Sequence, residues 1–256
     1  MKIFRKNRWV KLLGVLLFTT LPLEAIITIS PVNIGDNPGW SGSLKGSFET
    51  KRGNSDVDNY SAGLRASYDN NISYVVWSDF TFSYGKASGE TNTNKTYAHI
   101  RYIHATSIPE INYELFIQSE MNEFTMVSRR RLAGGGLRYH LSNDSYGSLY
   151  FGLGGFYETI SYTTSVDPRE TNLRVNSYIA YTKQFNKESK LSYVGYYQPK
   201  VDDVSDYILS NGLELEVLIY KTLYLNFVFY YDVDSCPAYG VEKEDISQKT
   251  SFLYKF

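Results

Sequence analysis

The chain closes on Ser247-Gln248-Lys249-Thr250-Ser251-Phe252-Leu253-Tyr254-Lys255-Phe256. Thr250, Phe252, Tyr254 and Phe256 are apolar or amphipathic. Lys249, Ser251 and Lys255 between them are polar, and Leu253 is the one exception. Alternation with period two sends successive side chains to opposite faces of a strand. A strand oily on one face and wet on the other, ending on an aromatic carboxylate, is what the closing strand of a bacterial outer-membrane barrel requires.

Upstream the same alternation recurs in segments of about ten residues separated by turn residues. The expected strands are Trp40–Lys51, Asp58–Tyr68, Ser73–Tyr84, Lys95–His104, Asn112–Met121, Arg129–Leu141, Ser148–Tyr162, Asn172–Thr182, Leu191–Gln198, Tyr207–Ile219, Leu223–Val233 and Asp245–Phe256. Trp40, Leu44 and Phe48 share a face in the first; Tyr60, Leu64 and Tyr68 do so in the second, and Tyr74, Val76, Phe80, Phe82 and Tyr84 in the third. Strand seven is apolar on both faces at its start, which leaves its parity open. Gly134-Gly135-Gly136 predicts weakened pairing or a sharp bend. The fold class is all-β: a transmembrane antiparallel up-and-down β-barrel of twelve strands.

The connections fit such a barrel. With a periplasmic N-terminus, the outward loops are Arg52–Val57, Gly85–Asn94, Asn122–Ser128, Thr163–Thr171, Pro199–Asp206 and Asp234–Glu244, and inner turns such as Asp69–Ile72 and Tyr220–Thr222 are tighter. Tyr74 and Tyr84 lie ten residues apart on one face, about 33 Å along a strand. At a tilt near 40° this projects to about 25 Å, the height between the aromatic girdles of a barrel. Tyr60, Tyr68, Tyr74 and Tyr84 are the candidate girdle, and Phe252, Tyr254 and Phe256 the C-terminal barrel signal.

Composition agrees. The chain has 256 residues, 24 of them Tyr and 14 Phe, and Tyr suits both strands and membrane–water interfaces. A mean hydropathy of −0.32 excludes a helical membrane bundle. It is compatible with a barrel, half of whose strand residues face a polar lumen. Residues 1–25 begin basic (Lys2, Arg5, Lys6, Arg8, Lys11) and continue apolar from Leu12 to Leu23, with Ala25 at a plausible cleavage point. This is the layout of a cleaved signal peptide, and its apolar part is too short to span a bilayer as a helix. Residues 26–39 are then a short periplasmic segment and 40–256 the barrel. Residues 1–25 hold five of the 26 Lys and Arg and one of the 27 Asp and Glu. That leaves 21 and 26, a net charge of −5 that offers nothing to nucleic acid. Cys236 is the one cysteine, so no internal disulfide forms.

The stretch Gly39-Trp-Ser-Gly-Ser-Leu-Lys-Gly-Ser-Phe-Glu-Thr-Lys-Arg-Gly-Asn-Ser-Asp56, followed by Asn59-Tyr-Ser-Ala-Gly-Leu-Arg-Ala-Ser-Tyr-Asp69, resembles the opening hairpin of the YdiY-like family of salt-induced outer-membrane proteins. The Gly53-Asn54-Ser55-Asp56 turn is its most telling piece; residues 134–141 and 149–158 add support. The resemblance covers roughly residues 39–256. It implies an outer-membrane barrel built around a domain of unknown function, and supplies no catalytic residues.

Hydrolytic chemistry on a barrel needs a His–Ser or His–acid constellation near the outer rim. Parity puts His99 inward at mid-strand, while His104 and His140 sit toward the periplasmic end. No catalytic residue, cofactor-binding residue or metal ligand is therefore singled out, and no enzyme or cofactor is expected. The inward parity instead selects a charged lumen: Lys45, Glu49, Arg65, Asp79, Arg101, Glu114, Glu120, Arg130, Arg138, Glu158, Arg174, Glu214 and Glu216. Twelve strands lie between the filled eight-stranded barrel and the sixteen-stranded channel, so these charges either fill the interior or line a narrow aqueous path. The expectation is an outer-membrane barrel acting as a narrow passive pore for a small solute or ion, or as an envelope-stress structural protein. Its partners would be outer-membrane lipid and the barrel-insertion machinery that reads the last strand. The alternatives are a surface adhesion protein working through its outer loops and, further off, an outer-membrane hydrolase.

Overall fold

The structure, a computed structural model, describes residues 32–51, 57–144 and 147–256. The signal peptide and the Arg52–Asp56 turn expected from the sequence lie outside the described residues. Twelve strands follow one another: β1 Gly39–Lys51, β2 Val57–Asp69, β3 Tyr74–Ala87, β4 Glu90–Ala105, β5 Ile111–Asn122, β6 Val127–Asp144, β7 Gly147–Tyr162, β8 Glu170–Asn186, β9 Ser189–Pro199, β10 Tyr207–Tyr220, β11 Leu223–Asp234 and β12 Glu244–Lys255. Each pairs antiparallel with its sequence neighbours, and β1 pairs with β12, so the sheet is a closed barrel. Closure leaves no free sheet edge, the condition for crossing a bilayer with strands.

The seam is the shortest ladder. β1 and β12 share four register pairs, from Ser43↔Lys255 to Gly46↔Phe252, whereas β1 and β2 share thirteen and β11 and β12 eleven. One step beyond the last strand residue, Gly42 and Phe256 exchange backbone hydrogen bonds of 2.9 and 3.0 Å.

The described termini and the even-numbered connections sit at one end of the barrel, here the terminal end; the odd-numbered connections form the loop end. The β2–β3 turn is closed by the Asn70 side chain, whose Oδ1 accepts from the backbone N–H groups of Ile72, Ser73 and Tyr74 at 2.8–3.0 Å, a side-chain mimic of a backbone turn. One expected loop is much shorter than its sequence suggested. Gly85–Asn94 reads as a ten-residue connection, but β3 and β4 run on through it and turn at Ser88–Gly89, both at positive φ. Its threonines and other polar residues hide a hairpin, because strand polar on both faces carries no alternation signal. At the same end, the β7–β8 and β11–β12 connections touch, the backbone N–H of Tyr239 donating to Asp167 at 3.1 Å.

The outer wall is oily. Leu44, Leu64, Phe80, Phe82, Ile100, Leu115, Ile117, Leu137, Leu153, Leu173, Ile179, Leu213, Phe229 and Phe252 are all exposed. A continuous apolar surface of this kind is matched by lipid rather than water. Around the terminal end Trp40, Tyr68, Tyr74, Tyr102 and Tyr113 make a row of ring contacts, centroids 5.3–6.1 Å apart, across β1 to β5. Tyr60 and Tyr84 face each other across β2 and β3 toward the loop end.

The glycines of β6 and β7 do not interrupt pairing. The register runs unbroken through Gly134↔Phe156, Gly135↔Gly155 and Gly136↔Gly154. They admit bulk on the inner face instead: a Cβ on Gly152 would stand 2.0 Å from the Tyr178 ring. Strand seven thereby takes its parity, with Tyr150 and Phe156 buried inside and Leu153 and Tyr157 outside.

Candidate functional site

The candidate site is the interior, which divides into a filled arc along β4–β8 and a hollow arc along β9–β12 and β1–β3. In the filled arc two carboxylates organise the packing. Glu158 is fully buried and accepts from Arg130 Nε at 2.8 Å and Arg174 Nε at 2.5 Å. Arg174 continues to Asp206 at 2.8 Å, and Lys200 joins Asp206 to Glu170. Glu120 lies 3.7 Å from Lys95 and 4.0 Å from Arg130. Nearer the terminal end, Glu114 is flanked by Arg101 at 3.4 Å and Arg138 at 3.5 Å and accepts from the Tyr178 hydroxyl at 2.8 Å. Charges this deep are tolerable only when paired. Arg101 also lies over the Trp77, Phe116 and Tyr178 rings, and Arg138 over Tyr150 at 4.7 Å; such contacts strengthen where water is excluded.

The terminal end of the interior is occupied by the chain itself. Val32 and Ile34 pack onto the inward cluster Val75, Trp77, Tyr97 and Ile103. Arg138 donates to the Val32 carbonyl at 2.9 Å. Buried Asp69 accepts the backbone N–H groups of Gly35 at 2.7 Å and Asn37 at 3.4 Å. Residues 32–38 thus form a short inner plug.

The hollow arc encloses a cavity of 410 Å³, within the size range of small-molecule sites. Its inward wall is built of small and polar residues, among them Ser43, Ser47, Ser61, Gly63, Thr81 and Gly212. One ion pair crosses it, Lys45–Glu214 at 2.7 Å, and two lie along its wall between neighbouring strands, Arg65–Asp79 at 2.6 Å and Lys190–Glu216 at 3.4 Å. Lys255 also reaches Glu216, at 2.5 Å. Lys249 on β12 reaches Ser61 on β2 at 2.5 Å. Toward the loop end exposed Glu49 accepts from Asn59 Nδ2 at 3.0 Å.

Of the charges read as inward from the sequence, Arg101, Glu114, Glu120, Arg130, Arg138, Glu158 and Arg174 gather in the filled arc. Lys45, Glu49, Arg65, Asp79, Glu214 and Glu216 stand around the cavity. Sequence reading missed Lys95, Lys190, Lys249, Lys255, Lys200 and Asp206. Lys255 carried a signal, since its place in the final alternation puts it on the face of Ser251. Lys190 lies one residue before the strand expected from the sequence. Lys200 and Asp206 fall in a connection, where parity says nothing.

The histidines serve packing. His99 is buried and stacked between Trp77 at 5.1 Å and Phe116 at 6.1 Å. His140 stacks on Tyr150 at 4.5 Å, and His104 on Tyr113 at 5.0 Å. Among the described residues no group of three or more His, Cys, Asp or Glu side chains is placed to hold a metal. Cys236 is exposed and unbridged.

A family model described as a protein of unknown function, DUF481, matches residues 46–256. The chain belongs to the DUF481 family. The match runs from mid-β1 through β12, so the family's shared part is the barrel wall. No relative was found among curated proteins. Among solved structures, the DUF481 chain is similar in fold to the NanC porin, with 11% identity, a TM-score of 0.48 and coverage of 84% of this chain and 97% of that one. It is also similar to the translocator domain of the autotransporter NalP from Neisseria meningitidis, with 10% identity, a TM-score of 0.45 and coverage of 86% and 90%. The KdgM porin is a third, with 12% identity, a TM-score of 0.43 and coverage of 84% and 96%.

Proposed function

We propose that this protein resides in the bacterial outer membrane and provides a narrow path for small hydrophilic solutes. One observation carries the reading: the interior is not packed throughout, and the 410 Å³ cavity beside the filled arc has a wall of serines, glycines and ion pairs. A barrel serving only as a wall gains nothing from small inward residues, since larger ones would add packing contacts. The oily outer face and the aromatic row at the terminal end support a bilayer setting, and the mostly shorter connections at that end support its facing the periplasm. Outer-membrane lipid is then the immediate partner. The aromatic face of β12 is a feature the barrel-insertion machinery would read, after removal of residues 1–25 as a signal peptide. Kinship with YdiY-like salt-induced proteins belongs to the same proposal and rests on the opening hairpin and the glycine-rich strands.

Planar-bilayer recording from the refolded protein tests the path. Discrete current steps in concentrated salt are expected, and their absence removes the pore. A second reading, a structural envelope barrel, is favoured by the plug of residues 32–38 and by the filled arc. It predicts a barrel that resists heat and detergent yet conducts nothing. Adhesion through the loops has less support, because the β3–β4 connection is only Ser88–Gly89.

A further inference from the structure

The formal charges on the cavity wall balance: Lys45, Arg65, Lys190 and Lys249 against Glu49, Asp79, Glu214 and Glu216. Glu49 at the loop end is exposed, but within the ion pairs exposure is uneven. In the Lys45–Glu214 pair the lysine side chain is 39% exposed and the carboxylate 11%. For Arg65–Asp79 the values are 26% and 15%, and for Lys190–Glu216 they are 27% and 6%. Lys255, the second lysine on Glu216, is 36% exposed. In every one of these pairs the cation's side chain is the more exposed partner, although the Arg65 guanidinium also lies over the buried Trp77 ring at 5.0 Å. Glu214 is held there by Asn226, which donates to it at 2.7 Å. Glu216 serves two lysines at once.

An ion pair in this orientation is a dipole with its positive end toward the solute. We infer that the cavity selects small anions such as carboxylates or phosphate, which enter past Glu49 and Asn59 and are handed along Lys45, Arg65 and Lys190. Rings of Lys and Arg give anion preference in other pores by the same electrostatics, and a narrow, low-dielectric wall focuses the field. The buried carboxylates have a separate role. They fix the ammonium and guanidinium groups in place, so the site is charged without being floppy. The inference rests on the cavity being a solute path.

The test uses the full refolded barrel in planar bilayers under a KCl gradient. The reversal potential is expected to show chloride favoured several-fold over potassium, a preference that collapses toward parity in K45Q/K190Q. Because Lys45→Gln strips a partner from a buried carboxylate, K45Q/E214Q is measured beside it. That variant removes both members of the pair, and its chloride preference should fall as well. A ratio at or below one in the wild type, or a ratio unmoved by either double variant, overturns the inference. If no current flows, the pore reading fails by itself, and calorimetric titration of the detergent-folded barrel with sodium phosphate decides. Binding that K45Q/E214Q abolishes upholds an anion site in a closed barrel. No binding, or binding that survives the substitution, overturns it.

Discussion

Gly42 and Phe256 hold the two ends of the wall together. They exchange two backbone hydrogen bonds, and a Cβ on Gly42 would stand 2.7 Å from both the Phe256 ring and the Arg65 carbonyl. The terminal ring thus lies where the glycine has no side chain. Gly42→Val is expected to push the last strand off the first and lose the heat-modifiable folded band on gels. Overpacking of this kind costs about 1–3 kcal/mol. Phe256→Ala in the same chain relieves the ring clash but not the one with Arg65, so recovery should be partial. A folded band of wild-type intensity for Gly42→Val would show that closure does not depend on this contact.

Glu158 is the keystone of the filled arc, with Arg130 and Arg174 both donating to it. Glu158→Ala leaves Arg130 with Glu120 alone, 4.0 Å away, and Arg174 with Asp206 alone, at a cost of about 3–5 kcal/mol. Urea unfolding of the barrel in lipid vesicles should record the loss. The more open Glu170, linked to Lys200 at 3.3 Å, should change stability by about 1 kcal/mol or less when replaced by Gln. Equal effects at the two positions would contradict the difference in burial between them.

Gly152 and Gly46 make a matched pair of tests. Alanine at Gly152 drives a methyl group into the Tyr178 ring, whereas a Cβ on Gly46 meets nothing within 4 Å. Gly152→Ala should destabilise by about 1–3 kcal/mol and Gly46→Ala by no more than about 0.5 kcal/mol. The same unfolding assay compares them.

The wall at Leu115 and Ile117 is exposed in the middle of β5. Ile117→Arg should lower stability in vesicles by about 2–4 kcal/mol, the penalty for a cation at the bilayer midplane. Retained stability in the lipid-folded state would argue that this surface does not meet hydrocarbon.

Residues 32–38 cover the terminal end from inside. Asp69→Ala removes the acceptor for Gly35 and Asn37, and deletion of 32–38 removes the plug outright. Both should raise single-channel conductance and admit larger sugars in liposome swelling, the deletion more so. An unchanged size limit would mean that the plug does not bound the path.

The strands were legible in the sequence because lipid on one side and charge on the other enforce period two; the last ten residues alone carry that pattern. Legibility failed where the pattern lapses. Glu90 to Asn94 are polar on both faces and read as loop, although β4 already begins at Glu90. The inward charges could be chosen by parity, but not their partners. Glu158 and Arg174 are on neighbouring strands and meet diagonally across the register pairs Glu158↔Asn172 and Phe156↔Arg174, while Lys45 and Glu214 lie 169 residues apart and meet only because the sheet closes. The plug had no signal of its own, since Val32 and Ile34 sit in a short segment with no period to read. The split into a filled and a hollow arc depends on volumes summed across many strands, a quantity no single stretch displays.

A cylinder whose staves overlap unequally does not breathe evenly. Its ladder is thirteen rungs long between β1 and β2 and four rungs long at the join of β1 and β12, so thermal motion will part the join first. That join borders the hollow arc, with Lys45 on one lip and Lys249 and Ser251 on the other. For sideways leakage of the barrel's contents into the lipid this join is the doorway, and its hinge side is the long ladder of β1 with β2.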